Sequence, residues 1–104
     1  MSDVKEFFEQ IIKSNKVVLF MKGNTVSPQC GFSAQVVAIL RLYDVDYAEV
    51  NVMNHESYGD IRADLKEYSN WPTFPQLYCN GELIGGCDII TELHENEELE
   101  ELLK

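Results

Sequence analysis

The chain has 104 residues, of which 45% are hydrophobic, and this is enough for one domain with its own core but too short for two. Its 18 acidic and 8 basic residues give a formal charge of −10, which argues against nucleic acid and anionic membrane surfaces as partners. Its 3 cysteines lie at irregular spacings, which argues against a secreted disulfide framework and favours free thiols in a reducing compartment.

The sequence shows no targeting or membrane signal. No apolar stretch reaches the roughly 20 residues that span a bilayer. The acidic start at Met1-Ser2-Asp3 lacks the basic flank of a signal peptide. We therefore expect a soluble protein of the cytoplasm, or of a mitochondrial or plastid matrix if a transit peptide has been removed.

The first two predicted elements are a helix and a buried strand. Apolar residues recur at helical spacing after Ser2 or Asp3, either of which can cap a helix, and this pattern ends near Ser14-Asn15. Val17 to Met21 is a continuous apolar run of strand formers. Such a run is typical of a strand that is buried on both faces in a parallel sheet.

A loop, a second helix and a second strand come next. The segment 22–29 contains Gly, Asn, Ser and Pro and predicts a loop. The apolar spacing from Gly31 predicts a helix to about Tyr43, and residues 47–52 predict a short strand. The order of strand, helix and strand implies a right-handed parallel crossover.

Residues 56–68 show helical spacing and predict a third helix, although Gly59 weakens the pattern. The prolines in 71–75 then forbid a helix. The chain is expected to return to the sheet after residue 75.

The remaining segment predicts a hairpin and a closing helix. Asn80-Gly81 is the signature of a type I′ turn and separates two short strands, 76–79 and 82–84. Asp88 is placed to cap a last helical region that runs to Leu102. We therefore predict an α/β protein with one domain over residues 1–104 and a thioredoxin-like fold, in which a four-stranded mixed sheet carries helices on both faces.

Cys30 is the best candidate for a reactive group. It opens the segment Cys30-Gly31-Phe32-Ser33 at the predicted start of the second helix, where roughly half a positive charge and unpaired N–H groups favour a thiolate. Ser33 stands where a C-x-x-C redox motif has its second thiol, so Cys30 cannot form the usual disulfide within the motif. A lone activated thiolate can still bind a metal, and the alternative is a buried, inert cysteine.

Several cationic and backbone groups are candidates for binding a carboxylate. Lys22 directly follows the first strand and is expected near the start of the second helix, where its charge would lower the pKa of the thiol. Arg62 and Lys66 lie one helical turn apart and form either a carboxylate clamp or ordinary surface cations. The segment Gly85 to Asp88 offers backbone N–H donors before a helix, or is simply a turn.

The segment Thr73-Phe74-Pro75 leaves two interpretations open. A cis Phe74-Pro75 bond would leave the backbone of Phe74 unpaired and free to bind an extended thiol peptide, whereas the alternative is an ordinary rigid turn. Cys79 lies within a predicted strand and is expected in the core. The two histidines show no metal-ligand spacing with any cysteine.

Four sequence blocks together closely resemble the monothiol glutaredoxins that carry a Cys-Gly-Phe-Ser motif. The resemblance spans nearly the whole chain. It is specific, because the four blocks occur in the right order and at the right spacing. The blocks are Met21-Lys22-Gly23, Pro28 to Ser33, Tyr68 to Gln76, and Gly85 to Asp88.

The resemblance implies the thioredoxin-like fold, glutathione binding and a homodimer that holds a [2Fe-2S] cluster with one cysteine per protomer and two glutathione thiolates. It implies that Cys30 is the iron ligand and that Lys22 and Arg62 pair with the glycyl carboxylate of glutathione. Phe74 would hold the cysteinyl backbone of glutathione, and Cys87 with Asp88 would bind its γ-glutamyl end.

Three functions are compatible with these implications. The first is a carrier that accepts a [2Fe-2S] cluster from a scaffold protein and passes it to recipient proteins in iron-sulfur assembly and iron homeostasis. The second is a thiol oxidoreductase that removes glutathione from protein mixed disulfides with one cysteine. The third, which overlaps the first, is an iron-sensing module that acts through partners such as BolA-like proteins.

Overall fold

A computed structural model of the chain describes residues 3–104. Four strands and five helices are formed within this range. They are α1 (Asp3–Ser14), β1 (Val17–Met21), α2 (Gly31–Arg41), β2 (Ala48–Asn51), α3 (Arg62–Ser69), β3 (Gln76–Cys79), β4 (Glu82–Gly85), α4 (Cys87–Glu95) and α5 (Leu99–Leu103).

The strands form one mixed sheet in the order β2-β1-β3-β4. β1 pairs in parallel with β2 and antiparallel with β3, and β3 pairs antiparallel with β4. All five residues of β1 are buried, as the continuous apolar run predicts for a central strand. The predicted α/β class and the mixed four-stranded sheet are confirmed.

The side chains of β1 alternate between two hydrophobic cores, one on each face of the sheet. Val17, Leu19 and Met21 pack with residues of α2, α4 and α5. Val18 and Phe20 pack with residues of α1 and α3. The predicted helices on both faces are therefore present. No helix within residues 3–104 is long and apolar enough to cross a membrane.

The hairpin turn has the predicted geometry. Asn80 and Gly81 both have positive φ, at 53° and 84°, as a type I′ turn requires. The cap predicted for α1 is not tested at Ser2, which lies outside the described residues. Asp3 belongs to the first turn of α1.

The helix predicted over 56–68 is wrong in its first half. α3 begins only at Arg62, because His55 and Gly59 exchange two backbone hydrogen bonds of 2.7 Å and close a turn. Gly59 has a φ of 70°, which does not continue a helix. The Asp60 carboxylate then accepts the N–H of Arg62 at 3.1 Å at the start of α3.

The closing helical region also differs from the prediction in two ways. Gly86 is the N-cap of α4, so Asp88 lies in the first turn and does not cap the helix. The region is divided into α4 and α5, because Glu97 adopts a φ of 61° between them. The N–H of Glu98 still donates to the Leu93 carbonyl at 2.9 Å, which keeps the two helices together.

Candidate functional site

Cys30 is the N-cap of α2, as its position in the motif predicts. Its backbone is extended, and its carbonyl accepts the N–H of Ala34 at 2.9 Å. Partial burial raises the pKa of Cys30, but the N–H groups of Ser33 and Phe32, the charge of Lys22 and the Ser33 hydroxyl outweigh it and leave the pKa below its ordinary value. Cys30 is half-buried and free, so its sulfur is accessible.

Ser33 connects the start of α2 to the end of β1. Its side chain is fully buried, and its Oγ accepts the backbone N–H of Lys22 at 3.2 Å. The carbonyl of Lys22 in turn accepts the N–H of Gln29 at 2.9 Å. These two bonds hold Lys22 next to the helix start, so its charge acts on Cys30. The sequence alone did not identify this role of Ser33, because the two bonded groups are 11 residues apart.

The loop between β1 and α2 is held by short-range hydrogen bonds. Asn24 Oδ1 accepts the N–H groups of Val26 and Ser27 at 3.0 and 2.7 Å. Gly23 donates its N–H to Asn51 Oδ1 at 3.1 Å, which anchors the loop to the end of β2. The segment that carries Cys30 is therefore fixed at both ends.

A groove of about 400 Å³ lies beside this loop. One wall is the segment before β3, the other is the start of α4, and the side chain of Phe32 lies at the edge. Its lining includes three predicted site residues, Phe74, Cys87 and Asp88, and Gly86 from the segment predicted to offer backbone N–H donors. It also includes Trp71 and Thr73, to which the sequence assigned no role.

Phe74 contributes to the groove from a position just outside the sheet. Its peptide bond to Pro75 is cis, as the first of the two interpretations requires. The pairing of β1 with β3 ends at Phe20 and Gln76, so the backbone of Phe74 lies beyond it. The side chain of Phe74 is buried at 6% exposure, with Lys66 Nζ 5.7 Å from its ring centroid. The side chain thus anchors the segment in the core.

Gly86 allows the two walls to approach each other. A Cβ at this position would lie 3.1 Å from the carbonyl oxygen of Pro75, closer than most side-chain contacts, and 3.7 Å from Trp71 Nε1. The first backbone N–H groups of α4 have no partner within the helix, and they lie at this wall. Such N–H groups favour an anionic ligand.

Cys87 and Asp88 follow Gly86 in the first turn of α4. Asp88 is exposed, whereas Cys87 is buried. Burial raises the pKa of Cys87, the charges of Asp88 and Cys30 raise it further, and a hydrogen bond to Thr91 opposes them. The pKa of Cys87 is therefore raised, whereas that of Cys30 is lowered.

Three predicted site residues, Cys30, Lys22 and Arg62, lie outside the groove lining. Lys22 is on the neighbouring loop, where it acts on Cys30. Arg62 forms an exposed ion pair in which its Nη2 lies 2.8 Å from Asp60 Oδ2. A carboxylate ligand of Arg62 would therefore have to compete with Asp60.

The described residues of one chain offer no complete metal site. Within residues 3–104 there is no group of three or more His, Cys, Asp or Glu side chains that could hold a metal ion. Cys79 is buried in the core, as expected, and burial raises its pKa to about 11. Cys30 is thus the one cysteine in this part of the chain whose pKa is lowered.

Comparisons with known proteins agree with this arrangement. A family model described as Glutaredoxin matches residues 17–84. A curated protein of Rickettsia typhi named "Probable monothiol glutaredoxin 2" is 57% identical over 95% of this chain and 86% of its own length. The solution structure of reduced poplar apo GrxS14 is 49% identical, with a TM-score of 0.78, over 94% of this chain and 87% of that one.

A crystal structure of a buckwheat glutaredoxin-glutathione complex has a TM-score of 0.80 and covers 99% of this chain and 94% of that one. Its identity of 23% means that it supports the thioredoxin-like fold alone.

Proposed function

The chain belongs to the monothiol glutaredoxin family, and from this premise we propose that it binds glutathione in the groove and carries a [2Fe-2S] cluster between proteins. One observation carries the proposal. The lowered pKa belongs to Cys30, a lone thiolate at a helix start beside a groove that is suited to a peptide with anionic ends.

The thiolate count supports a site that is shared between molecules. Two irons bridged by two sulfides need four terminal thiolates. One chain supplies Cys30, because Cys79 and Cys87 have raised pKa values. Two copies of the chain and two glutathione thiolates complete the set, so the cluster-bound form is proposed to be a homodimer. Glutathione is abundant in a reducing compartment, where we propose that the protein works.

Each part of glutathione is assigned to one part of the proposed site. The backbone of Phe74 pairs with the cysteinyl unit as an added strand would, which directs the glutathione sulfur toward Cys30. The start of α4 with Asp88 binds the γ-glutamyl end, whose carboxylate suits the backbone N–H groups and whose ammonium suits the Asp88 carboxylate. Lys22 and Arg62 are proposed for the glycyl carboxylate, for which Arg62 must leave Asp60.

A cluster held partly by glutathione can be released by ligand exchange. Thiolates of a recipient protein replace glutathione and Cys30, one at a time. The half-exposed position of Cys30 leaves room for an incoming ligand. Scaffold and recipient proteins, and BolA-like proteins, are the proposed partners for this step.

Anaerobic reconstitution with iron, sulfide and glutathione tests the proposal. The expected product is a brown dimer with the visible absorption of a [2Fe-2S] cluster. Cys30→Ser should abolish the absorption, whereas the control Cys79→Ser should retain it, because Cys79 lies in the core. A wild-type protein that stays colourless and monomeric would contradict cluster binding.

A second function is favoured by the same lowered pKa of Cys30. The Cys30 thiolate attacks the glutathione sulfur of a protein mixed disulfide, so that a Cys30–glutathione disulfide forms and the protein thiolate leaves. A second glutathione thiolate then attacks this disulfide, which releases oxidised glutathione and regenerates Cys30. Turnover as fast as that of two-cysteine glutaredoxins would favour this function over cluster transfer.

A further inference from the structure

Gln76 is a buried polar side chain that the proposed function does not use. It is the first residue of β3, comes directly after Pro75 and is 0% exposed. The other three residues of β3 are buried and largely apolar. An amide at such a position lowers stability unless its polar atoms are paired.

The amide nitrogen of Gln76 is fully used. Its Nε2 donates to the carbonyl oxygen of Trp71 at 3.2 Å and to that of Thr73 at 3.3 Å. Both carbonyls belong to the segment whose side chains line the groove. The two acceptors are two residues apart, so a side chain that joins them needs two N–H donors, and an amide nitrogen supplies both.

The amide oxygen of Gln76 is not used in the same way. Oε1 is buried and has no hydrogen-bond partner within residues 3–104. A buried acceptor without a partner lowers the stability of the fold. An apolar residue of similar volume would avoid this loss, so stability of the strand alone does not explain a glutamine here.

The segment that Gln76 holds is closely packed against the other wall of the groove. The Pro75 carbonyl lies so near Gly86 that a single methyl group there would be 3.1 Å away. A displacement of the 71–74 segment by a few tenths of an ångström would therefore change the width of the groove. The two bonds from Gln76 hold the 71–73 part of this segment.

We propose that Gln76 is a positioning residue for glutathione, which holds the 71–73 segment so that Thr73 and the Phe74 backbone face the ligand. The inference rests on the proposed glutathione site. Gln76 does not touch the ligand and acts through the two carbonyls.

Gln76→Met tests the role, because it keeps the length of the side chain and removes both donors. Val18→Ala is the control, since Val18 is fully buried in the same sheet, pairs with Tyr78 and Ala48, and does not line the groove. Glutathione is titrated into each full chain by calorimetry at a temperature where all variants are folded. We expect Gln76→Met to weaken binding by about tenfold or more, and Val18→Ala to change it by less than about twofold even where it is less stable.

A second readout separates positioning from general destabilisation. In the ligand-free protein, the NMR chemical shifts of the Thr73 and Phe74 backbone amides should change in Gln76→Met and remain unchanged in Val18→Ala. Gln76→Met binding within about twofold of wild type, with unmoved shifts, would overturn the inference. If Gln76→Met does not fold, Gln76→Glu, which keeps the shape with at most one donor, is judged by the same criteria. A wild-type chain that does not bind glutathione would instead refute the proposed function, and the shifts would still decide whether Gln76 holds the segment.

Discussion

Gly23→Ala should destabilise the loop that positions Cys30. Gly23 has a φ of 87°, which costs an alanine about 1 kcal/mol. Its new Cβ would also lie 2.6 Å from the Ser27 carbonyl oxygen and 2.7 Å from the Gln29 nitrogen. Both are backbone atoms of a hydrogen-bonded loop, so neither can rotate away as a flexible side chain would. Overpacking of this kind costs about 1–3 kcal/mol, and we expect a total loss of about 2–4 kcal/mol in the free energy of unfolding.

Gly59→Ala is the matched control for the backbone contribution. Gly59 has a similar φ of 70°, but a Cβ there meets nothing within 4 Å. Gly59→Ala should lower the free energy of unfolding by about 1 kcal/mol, because only the positive φ is unfavourable for alanine. Urea unfolding of the two variants and the wild type measures both losses. Equal losses in the two variants, within about 0.5 kcal/mol, would show that the close contacts around Gly23 do not constrain the loop and would refute the predicted clash.

Two further predictions concern ionisation. Because the pKa of Cys30 is lowered, its alkylation rate should rise at lower pH than that of an ordinary cysteine. Lys22→Gln should move this pH profile to higher pH, which mass spectrometry of the alkylated protein measures. An unmoved profile would exclude a role for Lys22 in lowering the pKa. Hydrogen bonds from Arg62 lower the pKa of Asp60 from 3.8 to about 2, so this pair stabilises the fold above about pH 4 and its contribution is lost as the pH falls toward 2. The difference in Tm between wild type and Asp60→Asn should therefore shrink over that range, and a difference independent of pH would contradict the assignment.

The elements that the sequence predicts well are those set by local patterns. β1 has the predicted bounds, because five consecutive apolar residues fit a strand that is buried on both faces. The start of α2 at Cys30 and the Asn80-Gly81 turn depend on neighbouring residues only. The predicted start of the third helix at residue 56 is wrong, because the prediction rests on apolar spacing alone. Two local features place the start later, namely the positive φ of Gly59 and the Asp60 carboxylate that accepts the N–H of Arg62.

The parts of the site that the sequence misses depend on contacts between distant segments. The bond from Lys22 to Ser33 gives the hydroxyl a role that its position in the motif does not reveal. The two hydrogen bonds of Gln76 join residues that are close in sequence. Their effect on the groove depends on a distant contact, because Gly86, ten residues further on, lies close to Pro75. Trp71 and Thr73 become groove residues for the same reason.

The meeting of these segments is a consequence of the sheet. β1 and β3 are antiparallel neighbours, so the end of β1 and the start of β3 lie at the same edge. The register pairs Phe20 with Gln76, and continuing it by two residues places Lys22 opposite Phe74. The loop after β1 and the backbone before β3 are thus neighbours by topology, whereas the width of the groove between Phe74 and α4 depends on how the 71–73 segment is held. Substitutions at Gln76 should therefore alter ligand affinity while leaving the Cys30 alkylation profile in place.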